Sequence, residues 1–242
     1  KEYKELLKIS YQSLNKSDKN LIRKAFDYAV DAHQFQRRKS GEAYIFHPIA
    51  VAKIVAHEIG LDAISIASAL IHDVVEDNND HTLERIEEEF GKNISKIVDG
   101  LTKIGRLNTK GYSDVSIQAE NYRKMLLTLN EDVRVIIIKI ADRLHNMQTL
   151  SSMSTEKQIQ KASETLYIYA PLAHRIGLYN IKTQLEDLGL KYTNPDAFNE
   201  ISKKLIENKK DQDNYIKKFN SIISSTLTRE KLKYEIKGRS KS

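Results

Sequence analysis

Residues 62–77 read Asp62-Ala-Ile-Ser-Ile-Ala-Ser-Ala-Leu-Ile-His-Asp-Val-Val-Glu-Asp77. Apolar side chains (Ile64, Ile66, Ala67, Ala69, Leu70, Ile71, Val74, Val75) cover nearly every side of a helical wheel drawn on this stretch. A helix without a polar face is stable only when other elements surround it. The pattern predicts a helix from Asp62 to about Asp77 in the middle of a bundle. At about 100° per residue, His72, Asp73, Glu76 and Asp77 then share one arc of that helix. Three acids and an imidazole on a buried arc would cost many kcal/mol in desolvation and repulsion if unpaired. A divalent cation removes that cost, because imidazole and carboxylate are both good ligands for it. The plainer alternative makes Glu76 and Asp77 an exposed helix end, where acids oppose the helix dipole.

Outward from this stretch, hydrophobic periodicity predicts helix almost throughout. Ser17 can cap a helix carrying Leu21, Ile22, Ala25, Phe26, Ala29 and Val30, and Pro48 suits the first turn of another that stops at Gly60. Shorter helices are expected at 82–89 and 94–103, then a polar, glycine-bracketed mobile loop at 105–113, then a helix at 114–129. The run Val133–Ala141 is β-branched and resembles a strand. Helix over 131–150 is preferred, because Asp132 can cap it and the pattern continues through Leu144 and Met147. Helices at 156–175 and 178–189 precede a turn at 193–195 and a lysine-rich helical segment at 196–228. Only at 232–236 does the period become two, so one strand is expected, opening a further domain.

The fold class implied is all-α. A helical bundle at 1–153 is followed by connecting helices at 154–220, and a strand begins an α/β domain at 221–242. With only 9 Gly and 3 Pro in 242 residues, long helices are favoured over a turn-rich β-architecture. The absence of cysteine excludes disulfide frameworks and cysteine nucleophiles. The longest apolar stretch is broken by Lys139 and falls short of the ~20 residues of a membrane span. No secretory leader is visible, and a cytoplasmic location is expected; a start at Lys1 suggests that the first residue is not the natural one. The net charge of +6 is uneven: residues 1–200 hold 27 basic and 28 acidic side chains, residues 201–242 hold 12 and 5. A nucleic-acid binder would spread its basic excess over the domain, so direct nucleic-acid binding is not expected.

Asp142 lies in the apolar run 133–144, with Asn146 and Thr149 on the same helix face. Its plain explanation is pairing with Arg143 or another nearby cation; that of His47, before Pro48, is a cap or a packed ring. Taken together, His47, His72, Asp73 and Asp142 make a two-imidazole, two-carboxylate set suited to Mn²⁺, Fe²⁺, Zn²⁺ or a similar ion. Glu76 and Asp77 would stand beside the metal, free to take a proton from water, as in a phosphohydrolase. The run Arg37-Arg-Lys-Ser-Gly-Glu-Ala-Tyr44 would suit a phosphate-rich ligand, though alone it reads as a solvated basic turn. The remaining histidines, His33, His57, His81, His145 and His174, are expected to be surface or packing residues.

Six segments carry a resemblance: Arg38-Lys-Ser-Gly-Glu, Tyr44-Ile-Phe-His47-Pro, His72-Asp-Val-Val-Glu-Asp77, Ala141-Asp-Arg-Leu-His-Asn-Met147, Tyr169-Ala-Pro-Leu-Ala-His-Arg175 and Ile181-Lys-Thr-Gln-Leu-Glu-Asp187. In this order they resemble the Rel/Spo family of bacterial alarmone synthetase–hydrolases, from about residue 17 to the end. The resemblance implies an HD-superfamily hydrolase domain that removes the 3′-pyrophosphate of ppGpp and pppGpp with Mn²⁺. It implies that His47, His72, Asp73 and Asp142 hold the metal and that Glu76 and Asp77 position and deprotonate the water. Arg38, Lys39, Ser40 and Tyr44 would line the nucleotide side, Arg38 stacking on guanine, with Asn146 and Thr149 on base or ribose.

It also implies a synthetase domain, whose ATP-phosphate loop would begin at Gly238, Arg239 and Lys241. The acids that should follow are not in this chain, so no synthesis is expected from it. The full-length protein could be ribosome-associated. Ser240 stands where proline is usual, Gln148 where arginine is frequent, and the spacer after Asp77 is one residue longer. Two other readings remain: an HD phosphohydrolase for another nucleotide, such as the 2′-phosphate of NADPH, and a non-catalytic nucleotide-sensing module.

Overall fold

The helix predicted at 62–77 exists but is broken. In the computed structural model, which describes residues 2–10, 14–78, 80–107 and 132–230, α4 runs over Ala63–Leu70 and α5 is a single turn, Val74–Asp77. Between them Ile71 (φ −115°, ψ 19°) and Asp73 (φ −117°, ψ 2°) leave helical geometry. The single helical arc inferred for His72, Asp73, Glu76 and Asp77 is therefore replaced by a turn and a restart. Asp62 caps α4 by accepting from the Ser65 amide at 2.9 Å. All but one residue of α4 are buried, and it packs against α2 (Lys16–Ala32), α3 (Phe46–Lys53), α7 (Lys92–Leu107) and α8 (Val133–Gln148). Its place at the centre follows from the missing polar face.

The flanking elements follow local chemistry. Asn15, rather than Ser17, caps α2: its side chain accepts from the Asp18 amide while the Asp18 carboxylate accepts from the Asn15 amide. Asn15 presents its side chain at an extended residue (ψ 179°), whereas Ser17 already lies inside the helix. Pro48 sits in the first turn of α3, which continues as a π-helical turn (Ile54–Ile59) ended by Gly60 at φ 78°. The short α6 (Leu83–Phe90) leads to α7, which reaches Leu107, past the expected end at 103. The loop expected beyond it and the helix expected at 114–129 fall mostly or wholly outside the described residues.

The β-branched run 133–141 is helical, as α8, with Asp132 Oδ1 accepting from the Arg134 amide at 2.9 Å. After it, Thr155–Glu164 (α9), a π-helical stretch at Thr165–Tyr169 and Ala170–Arg175 (α10) form one interrupted helix, and Tyr179–Thr193 (α11) follows. No strand occurs among the described residues; there is one isolated bridge, between Arg37 and Ala43. The strand expected at 232–236, and Gly238, Arg239 and Lys241, lie outside them.

Two units are distinguished, Lys1–Gly189 and Leu190–Ser242. The second consists of the end of α11 and α12 (Pro195–Arg229), a helix with an i,i+4 Lys204–Glu200 pair at 2.7 Å. Among the described residues, no helix is long and apolar enough to cross a membrane.

One polar pair ties α8 to α9. Arg143 Nη2 lies 2.9 Å from Glu164 Oε1, both side chains almost wholly buried, and the guanidinium sits 4.1 Å from the Tyr169 ring centroid. Removing one member of such a pair strands the other charge away from water. We expect Glu164→Gln to lower unfolding stability by about 3 kcal/mol in urea titration. A change below ~1 kcal/mol would show that water replaces the lost carboxylate.

Candidate active site

Three segments distant in sequence supply the cluster. The turn after α4 delivers His72 and Asp73, the start of α3 delivers His47, and α8 delivers Asp142. Potential ligand atoms of His47, His72 and Asp73 lie within 4.8 Å of one another, all three residues buried. Asp142 Oδ1 joins them, 3.2 Å from His47 Nε2 and 3.8 Å from His72 Nε2. All four residues expected to hold a metal therefore converge.

Each has an outer partner. His72 Nδ1 is 2.9 Å from the Ala69 carbonyl, which can only accept, so Nδ1 carries a proton and Nε2 is the nitrogen turned to the cluster, free to take either a proton or a cation. Asp73 Oδ2 accepts from the Tyr44 hydroxyl at 2.6 Å. Asp142 Oδ2 faces Lys139 Nζ at 3.0 Å, and its Oδ1 accepts from Asn146 Nδ2 at 2.6 Å. The cation beside Asp142 is thus Lys139, one turn before it, while Arg143 is engaged with Glu164.

The cluster's chemistry fits a divalent cation. Asp73 Oδ1 is buried and has no hydrogen-bond partner, although His33 Nε2 lies 3.4 Å away. Burial pulls the His72 imidazole down, but Asp73 and Asp142 outweigh it and push it up to about 9. Burial raises Asp73 and Asp142, yet the surrounding imidazoles, with Lys139 beside Asp142, hold both below the usual carboxylate range. Two buried carboxylates here demand positive charge, which a proton on His72 supplies when no metal does.

Above the cluster opens a cavity of about 460 Å³, with Asp142 and Glu76 on its wall. Six basic side chains line it: Arg37, Arg38 and Lys39 from the loop before α3, and Lys139, Arg143 and Lys161 from α8 and α9. Six cations against two acids suit a polyanionic ligand. The loop is held by the Arg38 amide donating to the Glu42 carbonyl (2.9 Å), with Gly41 at φ 86°, where a side chain would be strained.

Tyr44, Asn146 and Thr149 also face the cavity, whereas Ser40 and Asp77 are not among its lining residues. Arg38 donates to Asn146 Oδ1 at 2.7 Å, and Thr149 Oγ1 donates to the His145 carbonyl at 3.0 Å. Desolvation raises the Glu76 carboxyl, partly offset by Lys139 and His72. Asp77 is also raised, by desolvation and by Asp73.

Two histidines expected to be packing residues belong to the site. His33 is buried beside Asp73, its Nδ1 2.5 Å from Gln36 Oε1. His145 lies beside His47, with ring centroids 5.0 Å apart. Desolvation, then His47 and Arg38, drive His145 down to about 4, so it is neutral. His33 had no local signal; Lys139 and His145 did, standing three residues before and after Asp142 on one helix face.

Comparisons with known proteins place the chain in a family. The sequence pattern of the HD domain family matches residues 25–179. A GTP pyrophosphokinase of Myxococcus xanthus is 45% identical over 225 residues, 93% of this chain and 30% of the relative. The guanosine-3′,5′-bis(diphosphate) 3′-pyrophosphohydrolase of Aquifex aeolicus is 43% identical over 224 residues, 91% of this chain and 31% of the relative. The chain thus spans about 30% of the length of these curated relatives. A solved structure described as a metazoan ortholog of SpoT that hydrolyses ppGpp superposes with a TM-score of 0.53. It is 24% identical and covers 73% of this chain and 96% of its own, a likeness of fold. The chain belongs to the HD domain family, and its relatives within that family are the Rel/Spo homologues.

Proposed function

We propose that this chain hydrolyses the 3′-pyrophosphate of ppGpp and pppGpp, releasing pyrophosphate and GDP or GTP, with Mn²⁺ as its metal. The observation that carries this reading is a buried set of two imidazoles and two carboxylates directly beneath a cavity lined by six cations. The names of the curated relatives, one a pyrophosphohydrolase of this nucleotide, support the choice of substrate.

His47, His72, Asp73 and Asp142 would hold the cation. When bound, it supplies Lewis acidity, lowering the pKa of water and offsetting phosphoryl charge. Glu76, on the cavity wall and raised by desolvation, takes the proton from the attacking water. Asp77, beside Tyr44 and Asp73, orients that water. Arg38, Lys39, Ser40 and Tyr44 bind the nucleotide, with Asn146 and Thr149 on its base or ribose. Lys139, 3.0 Å from Asp142, keeps that carboxylate ionised and adds positive charge next to Glu76.

In this reading residues 1–153 are the hydrolase domain and 154–220 the connecting helices, with 221–242 beginning a synthetase domain. The protein acts in the cytoplasm, and its full-length form is ribosome-associated.

The deciding assay is pyrophosphate release from ppGpp by the purified chain, with and without Mn²⁺. Release that requires the metal is expected. A folded, metal-loaded chain that releases nothing from ppGpp but phosphate from another nucleotide would move the reading to a different HD phosphohydrolase.

A further inference from the structure

His47 Nδ1 lies 2.8 Å from His145 Nδ1, and Arg38 Nη1 lies 3.1 Å from the same His145 nitrogen. A guanidinium can only donate. His145 Nδ1 must therefore be an acceptor, with the neutral ring's proton on Nε2. His47 Nδ1, facing that lone pair, must then be the donor. With its proton on Nδ1, His47 turns a bare Nε2 toward Asp142 Oδ1 at 3.2 Å, acceptor to acceptor, an approach that a cation between them makes favourable. The opposite tautomer would let His47 Nε2–H donate to Asp142 and would need His145 Nδ1–H to donate to His47. The Arg38 N–H, 3.1 Å from that nitrogen, would then face an N–H instead of a lone pair, donor to donor. The Arg38 guanidinium is held in this position by its second contact, Nη2 to Asn146 Oδ1 at 2.7 Å.

We propose that His145 is a positioning residue of the metal site. It holds His47 in the tautomer and ring orientation that present Nε2 to the cation, and Arg38 enforces this by donating to the same His145 nitrogen. Metal-ligating histidines commonly pass their other N–H to a carboxylate, a carbonyl or water. Here a neutral imidazole does that work, and it can do so only because an arginine keeps its nitrogen unprotonated. Arg38 also faces the cavity, so one guanidinium connects the ligand side of the pocket to the tautomer of a metal ligand.

The inference rests on the reading that His47, His72, Asp73 and Asp142 hold a divalent cation; it does not depend on the substrate. Its test compares Mn²⁺ affinity, by calorimetry on the full chain without nucleotide, in wild type, His145→Leu and His145→Gln. The leucine removes the acceptor and should weaken Mn²⁺ binding by roughly 10–100-fold. The glutamine restores an acceptor oxygen and should recover most of the loss. In parallel, long-range ¹⁵N–¹H NMR of the metal-free wild type should find the His47 proton on Nδ1, a readout that survives even if a variant fails to fold.

Wild-type affinity in His145→Leu, equal weakening in both variants, or a His47 proton on Nε2 would each overturn the inference alone. A folded wild type that binds no Mn²⁺ would overturn the metal reading, and this inference with it.

Discussion

Asp73→Ala is expected to abolish both cation binding and turnover while leaving the helical bundle folded. Asp73 offers a buried oxygen, Oδ1, that no hydrogen bond satisfies, and its other oxygen is oriented by Tyr44 at 2.6 Å. Loss of a direct ligand should exceed the roughly 10–100-fold that losing an outer partner costs. His33 would then lack its carboxylate and His72 would keep only Asp142, so one of the two buried negative charges that draw a cation into the cluster would be gone. His72→Ala should behave alike, because the Ala69 carbonyl holds Nδ1 and leaves Nε2 as the nitrogen that faces the cluster. Calorimetry with Mn²⁺ and pyrophosphate release measure the two effects separately. An Asp73→Ala protein that holds Mn²⁺ within tenfold of wild type would remove Asp73 from the ligand set.

Glu76→Gln should separate chemistry from metal binding. The substitution keeps the shape of the side chain and removes its basicity, and Glu76 is not part of the cluster of converging ligand atoms. Cation affinity should stay near wild type, while the rate falls by roughly 10²–10⁴-fold for a missing general base. The pH profile gives an independent check. Desolvation pushes the Glu76 carboxyl up, and Lys139 and His72 return only part of the shift. The base acts ionised, so the wild-type rate should fall as pH drops through a pKa above the usual carboxylate range. That acid limb should vanish in Glu76→Gln. If Glu76→Gln loses Mn²⁺ as readily as Asp73→Ala, the division between ligand and base is wrong.

Much of this molecule was legible in order along the chain. A helix with no polar face belongs at the centre of a bundle, and α4 is there. The β-branched run 133–141 is helical because Asp132 caps it and the 3.6-residue period outlasts any strand. His72, Asp73 and Asp142 stood out as polar groups inside apolar runs, where burial would be costly without a shared partner, and His47, alone a cap or a packed ring, gained meaning only beside them. Such features are local, and local propensity and spacing carry them.

What the chain order could not carry depends on groups far apart. The break at 71–73 is invisible in an apolar pattern that runs straight through it, because the pattern records which residues are buried and not the torsions that bury them. His33 reaches Asp73 across 40 positions, and His145 reaches His47 across 98; no neighbour in sequence marks His33, and nothing beside His145 announces its contact with His47. Sequence by itself determined a helical bundle and singled out the four donors proposed for the metal. Only the tertiary structure decided which nitrogen of each histidine faces the cluster and which cations line the cavity above it. Hydrogen-bond direction is set by whichever donors and acceptors folding brings within 3 Å, and that is a property of the assembled core.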